Sequence, residues 1–464
     1  MATTDDIIGR AAAEGVELIR LLFVNNSGVP RGRVVDTEGL ETALEEGANL
    51  TQAMQSFNAL DALAPDGRYG PVGEVRVVPD PETFAVLPYD DRAAVMLSSL
   101  HTVDGEPWAA GPRAQLQRYL ADFEAEAGYT PRAAFESEFY LTRETDSGDR
   151  VPFDESPCFA SAGMRSAHDV ILDTVDALRS QGMGLAAYYP EYGPGQQELV
   201  IDHASGVTAA DEQVLYRETV AAIAADHGCG ATFRPKPFPD LPGSGCHVHL
   251  SLWDGAADGG GDESADEPEN VFYNPGSTGP YDLSDTGESF VAGLLEHAPA
   301  LVALTAPTVE SYDRLAPGMW SSAFVCWGPD NREAAIRVPS ARRGDQEGST
   351  RVEFKPADNT TNPYLALLGL LAAGMDGIER DLDPGDPLDD DPGDLTDDER
   401  ADRGIERLPA TLAEALDALE GDDVLQEAMG EALFESYIEV KRSEWEMSAD
   451  ENGERSTEYL ARGF

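Results

Sequence analysis

Lysine is nearly absent: Lys236, Lys355 and Lys441 are the only three in 464 residues, and 87 aspartates and glutamates face 32 lysines plus arginines for a formal net charge of −55. A surface that anionic excludes nucleic acid and anionic membranes as partners. The acidic excess does not gather in a tail but runs between well-patterned apolar segments, so it reads as adaptation of the solvent-facing surface to salt. A salt-loving, haloarchaeal source is expected. Cysteine is scarce as well. Cys158, Cys229, Cys246 and Cys326 are scattered without paired metal spacing, which excludes a zinc-ribbon pattern and predicts buried free thiols in a reducing cytoplasm. The opening MATTDDIIGRAAAEG has no basic segment followed by an apolar one, so no secretory signal is expected and a cytoplasmic location is. Long hydrophobic runs are missing too. The most apolar stretch, Tyr364 to Met375, is too short to span a bilayer and predicts a buried helix beginning after Asn362-Pro363.

The length exceeds what one core usually supports, and 41 % apolar residues suffice for sizeable cores, so two domains are expected. From Val16 to Leu100, short β-prone runs (ELIRLLFV, GRVV, VRVV, FAVL) alternate with turn signals such as Asn26-Ser27-Gly28 and Pro65-Asp66-Gly67, predicting a small mixed β domain over residues 1–104. The remainder, 105–464, mixes strands with amphipathic helices at Pro112–Glu126, Ala167–Gln181 and Ala209–Asp226, and ends in a helical stretch from Thr411 to Met447. The class is α+β. Two acidic Gly/Pro-rich segments, from Gly255 and from Asp381, have too little apolar content to pack and are expected to be surface loops.

The chemistry lies in runs where polar residues recur at every second position. Glu136 and Glu138 in FESEF, His247, His249 and Ser251 in GCHVHLSL, and Arg351, Glu353 and Lys355 in RVEFKP would each share one face of a strand. Glu191 and Glu198 bracket the loop EYGPGQQE. Each run alone could be an ordinary solvated face. Together, converging carboxylates would repel and demand a cation. Five carboxylates and one imidazole suit a hard ion, Mg²⁺ or Mn²⁺, better than zinc or copper. Such ions ordinarily hold phosphates, and Arg332 and Arg337 in NREAAIR, with Arg351, would supply charge for a transferring phosphoryl group. There is no Walker loop and no G-x-G-x-x-G opening a helix, so phosphate binding must come from metals and arginines.

In order and spacing, the runs AFESEFYL, PEYGPGQQELVI, ATFRPKPF with GSGCHVHLSL, RLAPG, DNREAAIRVPS, RVEFKPAD with NPYLALLGLLAAGMDGI, and LPATLAEALDAL with EVKRSEWE resemble glutamine synthetases and the related γ-glutamyl-amine ligases over nearly the whole chain. The resemblance implies a β-grasp-like amino-terminal domain and a catalytic domain whose curved antiparallel sheet forms a half-barrel. It implies one metal held by Glu138, Glu191 and Glu198 and a second by Glu136, His247 and Glu353. It places His249 and Ser251 at the ATP, with Arg337 and Arg351, and Arg332 and Arg337 at the transferred phosphate. Gly243, Arg314 and Lys355 fall at the glutamate. ATP phosphorylates the glutamate side chain, and an amine attacks the acyl phosphate. The family assembles as stacked rings, so a homo-oligomer, a dodecamer, is expected.

Two departures bear on the amine. Ammonia-using members carry an Asp-Gly-Ser-Ser run where this chain reads MQSFNALD, and a glutamate where this chain has Trp320. A tryptophan offers an apolar wall and a cation–π face, worth about 0.5–2 kcal/mol to an organic ammonium, so an alkylamine or polyamine such as putrescine is the expected acceptor. Three alternatives stay open: Asp61, Asp66 or Glu74 could replace the missing anions and restore ammonia use, Trp320 could be a packed core residue, and the chain could be a non-catalytic assembly. Pro242 in place of an asparagine, and Lys355 in place of an arginine, also depart from the pattern at the glutamate.

Overall fold

Thr3 and Asp6 form a reciprocal capping box that starts a helix at Thr4–Ala13, an element whose signal stands in the sequence but was not among those expected from it. The computed structural model describes residues 2–255, 268–449 and 455–464. The amino-terminal sheet contains β1 (Leu18–Val24), β2 (Pro30–Asp36), β3 (Ala48–Thr51), β4 (Glu74–Pro79), β5 (Ala85–Val86) and β6 (Ala93–Thr102), in the order β2-β1-β6-β4-β3 with β5 on β6. The central β1 and β6 run parallel. β6 escaped prediction because Ala93 through Leu100 are buried on both faces, which erases the alternation that marks a strand with one wet side.

The large sheet has twelve strands: β7 (Tyr129–Glu144), β8 (Arg150–Pro152), β9 (Leu185–Pro190), β10 (Gln196–Ile201), β11 (Ala204–Ser205), β12 (Gly230–Thr232), β13 (Cys246–Asp254), β14 (Glu269–Asn270), β15 (Phe324–Pro329), β16 (Ala334–Val338), β17 (Val352–Phe354) and β18 (Glu406–Arg407). Its path is β18-β15-β16-β17-β13-β7-β10-β9. The pairing is antiparallel except between β15 and β16, which run parallel, a correction to the purely antiparallel sheet expected.

Helices at Pro112–Ala127, His168–Ser180 and Val207–Asp226 stand where the apolar spacing put them. Asn362 caps the buried helix Pro363–Glu379 by accepting from the Tyr364 N–H. That helix packs on Asp285–Thr305 so closely that a Cβ on Gly377 would lie 2.1 Å from the Ser289 carbonyl. The helical stretch expected from Thr411 to Met447 consists of three helices, Leu412–Glu420, Asp423–Met429 and Glu431–Met447. Asp422 caps the second, and Gly430 at φ +72° breaks the chain before the third.

The last helix docks on the amino-terminal unit. Asn26 and Asn58 donate to Ser436 and Ser443, and Glu444, paired with Lys441, accepts the Ala59 N–H. The β1–β2 turn is seated against the catalytic part at Gly28, whose Cβ would meet the Thr360 carbonyl at 2.4 Å. The loop from Gly255 lies mostly outside the described residues. The segment from Asp381, expected to lie wholly on the surface, does pack at one point: Leu388 is buried beside Phe324 and Cys326, and its N–H bonds the Trp327 carbonyl. All four cysteines are unpaired, with Cys158 only partly buried. No helix among the described residues is long and apolar enough to cross a membrane.

Candidate active site

The separate polar runs become neighbours in the large sheet. β13 lies between β7 and β17, setting His247 opposite Glu136 and His249 opposite Glu353. β10 sets Glu198 opposite Glu138, and β16 sets Arg337 opposite Glu353. Directly opposed side chains share a face of the pleat. The acids, both imidazoles and Arg337 therefore meet on one side.

The Glu136–Glu353 half is rich in positive groups. His249 Nε2 lies 2.8 Å from Glu136 Oε2, and Arg351 Nε donates to His249 Nδ1 at 3.1 Å, which makes Nδ1 the acceptor and Nε2 the protonated nitrogen. Arg337 Nη1 donates to Glu353 Oε2 at 2.7 Å, with Lys355 Nζ 3.7 Å from Oε1. Burial works to raise both carboxyls. At Glu136 the nearby imidazoles of His247 and His249 outweigh it and hold the group well below the usual range. At Glu353 the charges of Lys355, His249, His247 and Arg337 hold it down at about 2.

The other half lacks that compensation. Glu138 accepts from the Gln196 amide and the Gly245 N–H, each at 3.0 Å. The Tyr189 hydroxyl donates to Glu198, and the Tyr192 N–H donates to Glu191 at 2.7 Å. Burial and the Glu138 charge push Glu191 up to about 7, and burial with Glu136 and Glu138 pushes Glu198 well above the usual carboxyl range. Crowded acids of this kind are what a hard divalent cation relieves.

A second observation fits the same ion. His247 Nδ1 and Glu353 Oε1 are 3.3 Å apart and buried, and neither has a hydrogen-bond partner among the described residues. Ligand atoms of Glu136, His249 and Glu353 lie within 4.8 Å of one another. His249, assigned by the resemblance to ATP, thus stands within reach of the same ion as His247.

The remaining candidates gather around this face. Arg314 is buried with Nη2 3.4 Å from His247 Nε2, and Lys355 Nζ stands at the same distance from that nitrogen. Gly243 lets Arg314 approach, since a Cβ there would sit 2.8 Å from Arg314 Cγ. Ser251 Oγ accepts from the Trp253 indole at 2.9 Å. Arg332 is exposed, and its charge acts on Glu191. Trp320 is 65 % exposed, which overturns the packed-core alternative.

Four participants were not foreseen: Gln196, Tyr189, Tyr192 and Glu333, whose carboxylate accepts the Trp320 N–H at 2.7 Å. Gln196 carried a signal, standing two residues before Glu198 on the same strand face. Tyr192 and Glu333 carried none: the Tyr192 ring lies against Trp320 from a loop distant in sequence, and the bond from Trp320 to Glu333 follows no helix or strand period.

Known proteins share the sequence pattern and the fold of this chain. A model of the glutamine synthetase catalytic domain matches residues 109–459, and one of the glutamine synthetase N-terminal domain matches 3–108. The chain is 34 % identical over 451 residues to a glutamine synthetase of Halobacterium salinarum, covering 96 % of this chain and 92 % of the relative. It is 34 % identical over 438 residues to a γ-glutamylpolyamine synthetase of Streptomyces coelicolor, covering 94 % and 91 %. A crystal structure described as a novel glutamine synthase homolog superposes with TM-score 0.81 at 34 % identity, covering 96 % of this chain and 97 % of that one. A complex of GmaS with ADP superposes with TM-score 0.81 at 30 % identity, covering 98 % of each. The shared fold is mixed α+β with a nearly closed, barrel-like sheet, and enzymes of this kind use ATP and divalent metal ions. The chain belongs to the glutamine synthetase family.

Proposed function

We propose that this ATP-dependent ligase of the glutamine synthetase family joins the side-chain carboxylate of glutamate to an organic amine, an alkylamine or a polyamine such as putrescine. The observation that carries the choice of acceptor is Trp320, an exposed indole where ammonia-using members have a glutamate. An indole cannot take a proton from ammonium, but it gives an organic ammonium an apolar and cation–π face. Ammonia is the second reading, favoured by the relatives named glutamine synthetase. Asp61, one possible replacement anion, is already paired with Arg31 at 3.2 Å.

Glu138, Glu191 and Glu198 would hold one Mg²⁺ or Mn²⁺, and Glu136, His247 and Glu353 a second, with His249 beside it. Bound there, the ions would neutralise phosphate charge. Arg314, Gly243 and Lys355 orient glutamate so that its carboxylate oxygen attacks the γ-phosphorus of ATP, and ADP leaves. Arg332 and Arg337 stabilise the transferring phosphoryl group, with His249, Ser251 and Arg351 along the nucleotide. The ammonium gives a proton to solvent, the lone pair so freed attacks the acyl carbon, the C–N bond forms as the C–O bond to phosphate breaks, and the nitrogen's second proton leaves with the phosphate. All six ligand positions are filled, which argues against a non-catalytic assembly.

The same reading takes residues 1–104 as a β-grasp-like domain and 105–464 as the catalytic domain. It also takes the protein to be a cytoplasmic, haloarchaeal homo-oligomer of stacked rings. The test is phosphate release from ATP and glutamate in molar salt, comparing ammonium with a panel of amines. Turnover with ammonium alone sinks the organic-amine reading, and no turnover with any acceptor favours the non-catalytic one.

A further inference from the structure

Two loops far apart in sequence meet at the mouth of the acid cluster, 191–195 between β9 and β10 and 316–322 before β15. Each presents one aromatic ring to solvent. Tyr192 and Trp320 are both 65 % exposed, with ring centroids 6.4 Å apart and planes inclined by 32°. An exposed aromatic pair beside a cluster of acids is the mark of a surface built to receive something partly apolar.

The backbone around the pair is held in place at some energetic cost. Trp320 and Ser322 sit at φ +57° and +67°, left-handed positions that non-glycine residues avoid, after Gly318 at +71°. Conformations of that kind persist only where surrounding contacts enforce them. Here the buried Glu333 carboxylate accepts the Trp320 N–H, and Ser321 Oγ is bonded to Ala316 on both its N–H and its carbonyl. On the facing loop, the Tyr192 N–H is tied to Glu191 Oε2. The strain turns the indole out toward Tyr192, and the tyrosine is anchored to the carboxylate that lies below it.

We infer that Tyr192 and Trp320 together form an aromatic slot for the methylene chain of the amine, and that Tyr192 is a specificity-determining residue of this enzyme. The rings take the hydrophobic methylene chain, which ammonium lacks, so the slot selects an unbranched primary alkylamine or polyamine over ammonium. This inference rests on the organic-amine reading above, and the experiment separates the two.

The full-length enzyme, in molar salt with Mg²⁺, ATP and glutamate, is assayed with hydroxylamine and with straight-chain primary amines of one to five carbons. For the wild type, KM should fall with each added methylene by up to about fourfold, the factor corresponding to about 0.8 kcal/mol per buried CH₂, while kcat stays nearly level. In Tyr192→Ala the dependence on chain length should flatten, and kcat/KM for butylamine relative to hydroxylamine should drop about tenfold. Tyr192→Phe should restore the dependence, because the ring and not the hydroxyl forms the wall. Alkylamines accepted with no dependence on length in the wild type would overturn the slot while leaving the ligase reading intact. So would a Tyr192→Ala enzyme that keeps the wild-type dependence, or one that loses only assembly mass by light scattering. Ammonium as sole acceptor would overturn both. The wild-type series tests the slot even where Tyr192→Ala fails to fold, and Tyr192→Phe against the wild type then tests the ring.

Discussion

His297 should act as a charged clamp whose contribution is lost as pH rises. It lies on the helix Asp285–Thr305 with Nδ1 2.6 Å from Asp422, the cap of Asp423–Met429, and Nε2 3.1 Å from Asp376 on Pro363–Glu379. Burial alone would lower its pKa. The bonds and charges of Asp422 and Asp376 outweigh that and raise it. A histidine with a raised folded pKa contributes stability that is fully present below the unfolded value of about 6.5 and is lost as pH climbs through the folded value. Each of its two hydrogen bonds joins charged groups, worth about 1.5–3 kcal/mol. In His297→Gln, Asp376 keeps Arg380 at 2.6 Å and Asp422 keeps the Leu425 N–H at 3.0 Å, so neither carboxylate is stranded and the net loss should fall near about 2–4 kcal/mol below pH 6.5. Urea unfolding of both proteins at pH 6 and pH 9 measures it, and high salt should change little because the groups are buried. A difference that is constant or that grows toward pH 9 would refute the reasoning.

Replacing Trp320 by glutamate should move acceptor preference toward ammonium, read as the ratio of kcat/KM for ammonium to that for putrescine; an unchanged ratio counts against its assigned position. Mg²⁺ at about a hundred times its Kd should stabilise the protein by about 2.7 kcal/mol, and the double variant Glu136→Gln, Glu353→Gln should lose most of that increment in a thermal melt, whatever the activity. Lys441 and Glu444 form a fully buried pair at 2.9 Å, so Lys441→Met, which among the described residues leaves the acid with the Ala59 N–H alone, should destabilise by about 3–5 kcal/mol in urea. Adding Glu444→Gln should recover part of it.

Much of the site was legible because its residues repeat at every second position. Glu136 with Glu138, His247 with His249, and Glu353 between Arg351 and Lys355 share faces by strand geometry alone, wherever the strands go. Their register was not legible. That His249 would bond Glu136, and Arg351 would in turn bond His249, depends on which strands pair and at what offset. The amino-terminal sheet shows the same limit: β1 and β4 alternate and were expected, whereas β6 is buried on both faces and carries no period. The carboxy-terminal stretch was legible as helical because Leu412, Ala415, Leu416 and Leu419 set a clear apolar stripe, whereas the contact of its Asp422 cap with His297 joins residues far apart in the chain and left no local mark.

The sequence by itself determined the chemistry on offer: an oxygen-rich set of side chains, arginines without a phosphate loop, a strongly acidic composition and a tryptophan at position 320. Those follow from residue type and local spacing, which no fold can change. Only the tertiary structure decided that Trp320 faces solvent, that Tyr192 stands across from it, and that the acids divide into a compensated half and an uncompensated one. Exposure, facing and charge balance are properties of chain segments brought together over long separations, and local sequence holds no record of the distances between them.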